Sequence, residues 1–229
     1  MFKNMKYKLG VFSVLSTMAV MGSPAQAMDI ESILSDAEAT DSNIGLYSQY
    51  VWRGQRQSAG AMSIQGDIGM AHDSGLSANA WFATLGTGNA TEFDFTIDYS
   101  ADLGFMAYSA GLILYRYHNN GAANTTEVYA GVKHEVGAAT FYYDLNSKNI
   151  WIDFSSGVEL AEFVVEGTLS FAVPDVGSSE FVNLAVSVSK EVDLDDIILA
   201  PSFTYHYHMG ALDTPATPDA LVLSINIVY

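Results

Sequence analysis

Between Glu92 and Tyr99 the chain reads Glu-Phe-Asp-Phe-Thr-Ile-Asp-Tyr, so Phe93, Phe95, Ile97 and Tyr99 alternate strictly with Glu92, Asp94, Thr96 and Asp98. A period of two puts successive side chains on opposite faces, which a strand does and a helix does not. The same rhythm recurs at 44–52, 61–70, 76–84, 105–117, 127–135, 139–145, 150–157, 163–172, 181–189, 197–207 and 219–229, which with 92–101 makes twelve expected strands. Short connections at 71–75, 102–104, 135–138, 158–162 and 190–196 alternate with longer ones rich in Gly, Asn, Ser, Thr and Pro at 53–60, 85–91, 118–126, 174–180 and 208–218; only 146–149 is short on the long side. An even number of strands joined alternately by short and long connections predicts an all-β fold, a transmembrane antiparallel up-and-down β-barrel with its long loops facing outside.

Three segments are expected. Residues 1–27 begin with Lys3, Lys6 and Lys8, continue through an apolar stretch from Leu9 to Met21 and end in Ala25-Gln26-Ala27, the pattern of a cleaved secretory signal peptide. A membrane anchor would need about 18 to 20 unbroken apolar residues, whereas this stretch is shorter and holds Ser13, Ser16 and Thr17. Residues 28–42 form an acidic periplasmic leader with Glu31, Asp36, Glu38 and Asp41, read as a solubilising segment or a plug that folds back; 43–229 form the barrel.

After cleavage only Arg53, Arg56, Arg116, Lys133, Lys148 and Lys190 oppose 26 acidic residues, a formal charge of −20. Such a surface repels polyanions and excludes nucleic acid as a partner. The chain has no cysteine, hence no disulfide framework, thiolate metal site or cysteine nucleophile.

A soluble barrel also alternates, so the placement of the apolar face decides between the two. The polar parity carries Asp67, Glu92, Asp94, Asp98, Glu127, Asp144, Asp153 and Glu166 among Gly, Ser, Thr and Asn, as a water-facing lumen would. On the apolar parity, Tyr50 and Trp52, Tyr115 and Tyr117, and Tyr205 and Tyr207 fall at the outer ends of spans, and Tyr99 and Tyr229 at the inner ends, as two interfacial girdles would. The chain closes on Leu221, Leu223, Ile225, Ile227 and Tyr229 at every second position. That ending resembles the terminal-strand signal of outer-membrane proteins, which their barrel assembly machinery reads.

The stretch from Asn43 to Ser58, Asn-Ile-Gly-Leu-Tyr-Ser-Gln-Tyr-Val-Trp-Arg-Gly-Gln-Arg-Gln-Ser, holds Tyr50, Trp52, Arg53 and Gly54 in sequence. It resembles the opening of the TorF-type porins, whose first strand ends in Tyr-x-Trp/Phe-Arg-Gly. Ala61 to Gly66, and Ala80-Trp-Phe82 followed by Glu92-Phe-Asp-Phe95, resemble that family's second to fourth strands. The resemblance is dense over 43–100 and implies an outer-membrane barrel of a Gram-negative cell with a presumed channel role, surrounded by outer-membrane lipids.

If Tyr50 and Trp52 face lipid, then Gln49, Val51 and Arg53 turn inward near the outer rim, where Arg116 arrives from the fifth strand and meets Glu92, Asp94 or Glu127. Gly54 lets the following loop turn sharply. Eight inward acids against Arg53, Arg116 and Lys133 describe either an ion-pair network filling the wall or a constriction that sets permeant charge. The leading expectation is a small diffusion channel preferring cations, for ions or small solutes, with no cofactor. The alternative is a non-conducting structural or binding barrel.

An enzyme is not expected. His72, His118, His134, His206 and His208 have no Ser and Asn or Asp at triad spacing on a common face, and the phosphate-loop, dinucleotide and His-Glu-x-x-His motifs are missing. His206 and His208 share a face, but as lumen residues rather than metal ligands, and Asp193-Leu-Asp-Asp196 reads as a solvated turn.

Overall fold

A computed structural model describes residues 37–40, 42–86, 90–119, 121–173, 181–209 and 219–229. Residues 1–36, on which the signal peptide and most of the leader fall, lie outside the described residues, as do the outer connections 174–180 and 210–218.

Twelve strands form one closed antiparallel sheet: β1 (Asn43–Tyr47), β2 (Ser63–Ala71), β3 (Leu76–Thr84), β4 (Thr91–Asp102), β5 (Ala107–His118), β6 (Thr125–His134), β7 (Gly137–Asp144), β8 (Ile150–Leu160), β9 (Phe163–Val173), β10 (Phe181–Ser189), β11 (Ile198–Met209) and β12 (Ala220–Val228). Each pairs with the next in chain order, and β12 closes on β1 from Ser224 opposite Tyr47 to Val228 opposite Asn43. All twelve expected strands are therefore present. Closure leaves no sheet edge to satisfy. A ring of twelve strands about 4.8 Å apart and tilted by about 40° is about 24 Å across between backbones.

The faces are sorted as in a membrane barrel. Outside, Ile68 is 63% exposed, Ile97 58% and Leu223 53%, together with Phe93, Phe95, Phe141, Phe154 and Phe203. Inside, Glu92, Asp98 and Glu127 are at most 3% exposed. A soluble protein would reverse this, because burying apolar area is what drives its folding.

The first strand differs from the expectation at both ends. Pairing begins ahead of residue 43, for Glu38 and Ala39 lie opposite Ala71 and Met70, and Ser42 exchanges backbone hydrogen bonds with Tyr229 at 3.1 and 3.0 Å. At the other end of the first strand, regular pairing stops at Tyr47 instead of continuing to residue 52. Ser48 still donates to the Leu223 carbonyl at 2.8 Å and accepts from the Leu223 amide at 2.9 Å. The chain then leaves the wall and turns into the bore.

Candidate functional site in the barrel interior

The segment that enters the bore is a miniature hairpin, Val51–Trp52 paired with Gln55–Arg56. Its two turn residues, Arg53 (φ 46°) and Gly54 (φ 78°), both have positive φ, the signature of the two-residue type I′ turn whose twist suits a tight hairpin. Glycine takes this conformation freely, and arginine at a cost of about 1 to 2 kcal/mol. A Cβ on Gly54 would also lie 2.7 Å from Asn183 and from His208 Nε2. Ser58 ties the base by accepting from the Tyr50 amide at 2.9 Å and donating to the Ala61 carbonyl at 2.6 Å.

Arg53 holds the hairpin across the bore. Its guanidinium makes two parallel hydrogen bonds to Glu127, at 2.9 and 3.1 Å, and lies 3.9 Å from Asp153. The same group sits 4.4 Å from the Trp52 ring centre, 4.1 Å from Tyr142 and 5.1 Å from Trp151. The fork geometry of arginine suits a carboxylate on one edge and aromatic faces above and below. Behind the tip, His208 Nε2 donates to the Gly54 carbonyl at 2.5 Å, and Arg56 donates to the Asp219 carbonyl at 3.0 Å. The hairpin thus leaves the wall at β1 and β2 and touches β6, β8, β11 and β12's approach.

This placement corrects three expectations. Tyr50 and Trp52 are not lipid-facing girdle residues: Tyr50 is 5% exposed and packs at a tilt against Trp81 with ring centres 5.4 Å apart, and Trp52 packs on Tyr115 and Trp151 at 6.0 and 5.7 Å. Tyr115 and Tyr117 also point inward, opposite Asp94 and Glu92 on β4. Arg116, lying between them, is consequently outward, opposite Phe93, with its guanidinium on the carbonyls of Tyr115 and Thr125. The physical reason is parity. On β5 both faces are partly apolar, and the small residues Ser109 and Gly111 mark the odd face as the inner one. Tyr205 and Tyr207 do face outward, 41% and 45% exposed, and Tyr229 is 65% exposed beside the short turns.

The remaining predicted residues fall at inward register positions. Glu92 accepts from the Tyr117 hydroxyl at 2.5 Å, Glu127 from Tyr115 at 2.9 Å and Asp98 from Tyr129 at 2.5 Å. The last of these bonds crosses Gly111, where a Cβ would lie 2.6 Å from the Tyr129 ring, so the missing side chain is what lets the phenol reach Asp98. Asp67 accepts from the side chain and backbone amide of Asn43 at 2.6 and 3.2 Å. Asp144 accepts from Thr125 at 2.7 Å and from the amides of Asn146 and Ser147, fastening the outer turn there. Asp94 lies between Trp81 and Tyr115, and Glu166 between Gly157 and Ser187. Lys133 is inward near the short turns, opposite Ala107 and Ala138. Leu221, Leu223, Ile225 and Ile227 present an unbroken outward stripe, each at least 38% exposed.

What sequence reasoning missed is the hairpin itself. The pair Arg53-Gly54 between short polar arms was a readable two-residue turn, but a continuous alternation through 44–52 masked the point at which β1 ends. Among the described residues no group of three His, Cys, Asp or Glu side chains is arranged to hold a metal. A cavity of about 200 Å³ opens between the hairpin and β5 to β8, lined by Trp52, Gln55, Tyr117, Glu127, Asp144 and Trp151.

The architecture defines a closed twelve-stranded antiparallel β-barrel with its apolar face outward. Residues 35–193 match the family described as "Bacterial protein of unknown function (Gcw_chp)", and the chain belongs to that family. No curated protein matches the chain in sequence. Among solved structures it is similar to a KdgM porin, with a TM-score of 0.60 and 10% identity over 83% of this chain and 98% of that one. It is likewise similar to a KdgM porin in complex with disordered oligogalacturonate, with a TM-score of 0.59 and 9% identity over 84% and 98%. At that identity the likeness is one of fold.

Proposed function

We propose that this protein is an outer-membrane porin-like channel that prefers cations, exported through the signal peptide and assembled by the barrel assembly machinery. The observation that carries the reading is the imbalance of charge inside the closed wall. Asp67, Glu92, Asp94, Asp98 and Glu166 face the bore, while Arg53 is committed to Glu127 and Asp153 and Arg116 points outward. Against these acids the described residues place Lys133, near the short turns, and Arg56, on the hairpin with its guanidinium on the Asp219 carbonyl, together with His206 and His208 on β11. Carboxylates in a confined, low-dielectric bore raise the local concentration of cations and repel anions.

This polarity argues against transferring the oligogalacturonate of the KdgM complex to this chain, since a chain of acidic sugars is a polyanion. Small cations and small neutral solutes suit the bore better. The TorF resemblance supports the same architecture, and Arg116 on the outer face near the long loops is well placed for lipid phosphate groups.

A second reading, a barrel closed to conduction and used for binding, is favoured by the hairpin, which crosses the bore and is tied on both sides. Reconstitution of the refolded protein in a planar bilayer tests both. The channel reading expects discrete conductance and a reversal potential on the cation side of a KCl gradient. Anion-directed reversal would overturn it, and absence of conductance that returns when residues 51–56 are replaced by a short glycine-serine link would establish the closed form.

A further inference from the structure

Arg53 shows how this bore holds a positive group: carboxylates on its edge, aromatic rings against its faces. A second setting of the same composition lies beside it. Glu92 and Asp94 are two residues apart on the inner face of β4, roughly 7 Å between Cα atoms. In register with Asp94 stand Trp81 on β3 and Tyr115 on β5, and in register with Glu92 stands Tyr117. Tyr50 of the segment leading into the hairpin covers them from above through its contact with Trp81.

This setting differs from the first in one respect. Among the described residues no Lys or Arg lies within ion-pair distance of either carboxylate; Glu92 has only the hydroxyls of Tyr117 and Tyr50 as partners, and Asp94 Oδ1 is buried without a hydrogen-bond partner. Glu92 is 2% exposed, whereas Asp94 is partly open to the bore and provides the way in. Buried, unpartnered carboxylate oxygens are costly and are ordinarily matched by a donor. Three-carboxylate metal geometry is not formed here. An organic cation gains from both the oxygens and the aromatic faces, and its planar or alkyl body packs against the rings.

We infer that Glu92 and Asp94, walled by Trp81, Tyr115, Tyr117 and Tyr50, form a binding site for an organic cation bearing a guanidinium or primary ammonium group. The inference deepens the cation-channel reading, on which it rests, by naming a class of solute that lingers in the bore.

The chain's three tryptophans, Trp52, Trp81 and Trp151, all lie at these two settings, so intrinsic fluorescence reports on them directly. Full-length mature protein in detergent is titrated with methylguanidinium chloride against KCl at equal ionic strength. The expected result is a saturable change in emission with methylguanidinium alone, weakened at least tenfold in Asp94→Asn and retained in Asp98→Asn. Asp94→Asn is the primary variant because its site is partly open; Glu92→Gln is read only if its circular dichroism and heat-modified migration match the parent.

An equal response to KCl, no saturable response, or an unchanged affinity in Asp94→Asn would each overturn the inference. The reversal potential separates the two claims. Cation-directed reversal without methylguanidinium binding removes this site alone, while binding with anion-directed reversal upholds the site and removes the channel reading.

Discussion

The wall from β4 to β8 and the wall from β9 to β12 face each other across one bore and are built from different side chains. The first presents Glu92, Asp94, Asp98, Tyr115, Tyr117, Glu127, Tyr129, Tyr142, Trp151 and Asp153, long groups joined to one another by phenol-to-carboxylate bonds and ring contacts. The second presents Glu166, His206 and His208 among Thr168, Ser170, Asn183, Ala185, Ser187, Ser202, Thr204, Ser224 and Asn226, mostly short groups. The hairpin leans on the first wall and reaches the second at its tip, through Gly54 beside Asn183 and His208, and at Arg56, which donates to the Asp219 carbonyl. The difference teaches a division of labour. One wall and the hairpin form an aromatic and charged body, and in the proposed channel the lane for solute runs along the shorter-chained wall with carboxylates opposite.

The strongest way to break this comparison is to release the hairpin. Arg53→Ala leaves Glu127 buried and unpaired, which costs about 3 to 5 kcal/mol for a pair of this burial. Urea unfolding of the folded barrel in detergent should show that loss, and bilayer recording should show a larger unit conductance. Arg116→Ala, on the outer face, should stay within about 0.5 kcal/mol of the parent. Equal effects at the two arginines would contradict the placement of both.

Gly54→Ala comes next. An L-residue at that positive φ costs about 1 to 2 kcal/mol, and its Cβ must displace Asn183 or His208. The same unfolding assay should register a loss smaller than that of Arg53→Ala, together with increased conductance noise.

The two walls can then be exchanged in charge. Asp94→Asn with Asp98→Asn should reduce the cation-directed reversal potential, and Ser187→Asp on the facing wall should raise it. If only the Ser187 variant moves the potential, the lane lies closer to the second wall than the carboxylates opposite can reach.

The smallest effect lies at the short turns, away from both walls. Lys190 makes a charge-assisted hydrogen bond to Glu162 and holds that carboxyl below its ordinary value of 4.5. A depressed folded value means that the contribution is present above the ordinary carboxylate range and is lost as pH falls through the folded value. Thermal stability of the parent should therefore fall slightly more than that of Glu162→Gln as the pH drops below about 4.5. Both groups are exposed, and parallel curves would show that the pair contributes nothing.

The barrel was legible in the sequence because alternation acts on every strand and needs no distant information. β4 shows this best, with Phe93, Phe95 and Ile97 outside and Glu92, Asp94 and Asp98 inside. The interior acids were legible for the same reason, since parity alone assigns Asp67, Glu127, Asp153 and Glu166. Two things were not. On β5, Tyr115 and Tyr117 are large, apolar and at a span end, the properties of an interfacial girdle; what turns them inward is the carboxylate waiting on each neighbouring strand, a partner only the register supplies. Around Val51, alternation persists beyond the end of β1 because the hairpin arms are themselves extended. Local pattern therefore cannot tell a strand in the wall from a strand inside the bore; the contacts of Arg53, 74 residues from Glu127, decide it.

The chain's freedom from cysteine permits a direct test of which surface each segment meets. Single variants Phe95→Cys and Trp52→Cys, each carrying a nitroxide label in liposomes, are compared for relaxation by lipid-dissolved oxygen and by a water-soluble nickel chelate. The account predicts oxygen-dominated relaxation at position 95 and slow motion with little access to oxygen at position 52. A label at position 52 that reports acyl-chain oxygen as strongly as position 95 would place the first-strand motif on the lipid face and contradict the inward hairpin on which the site is built.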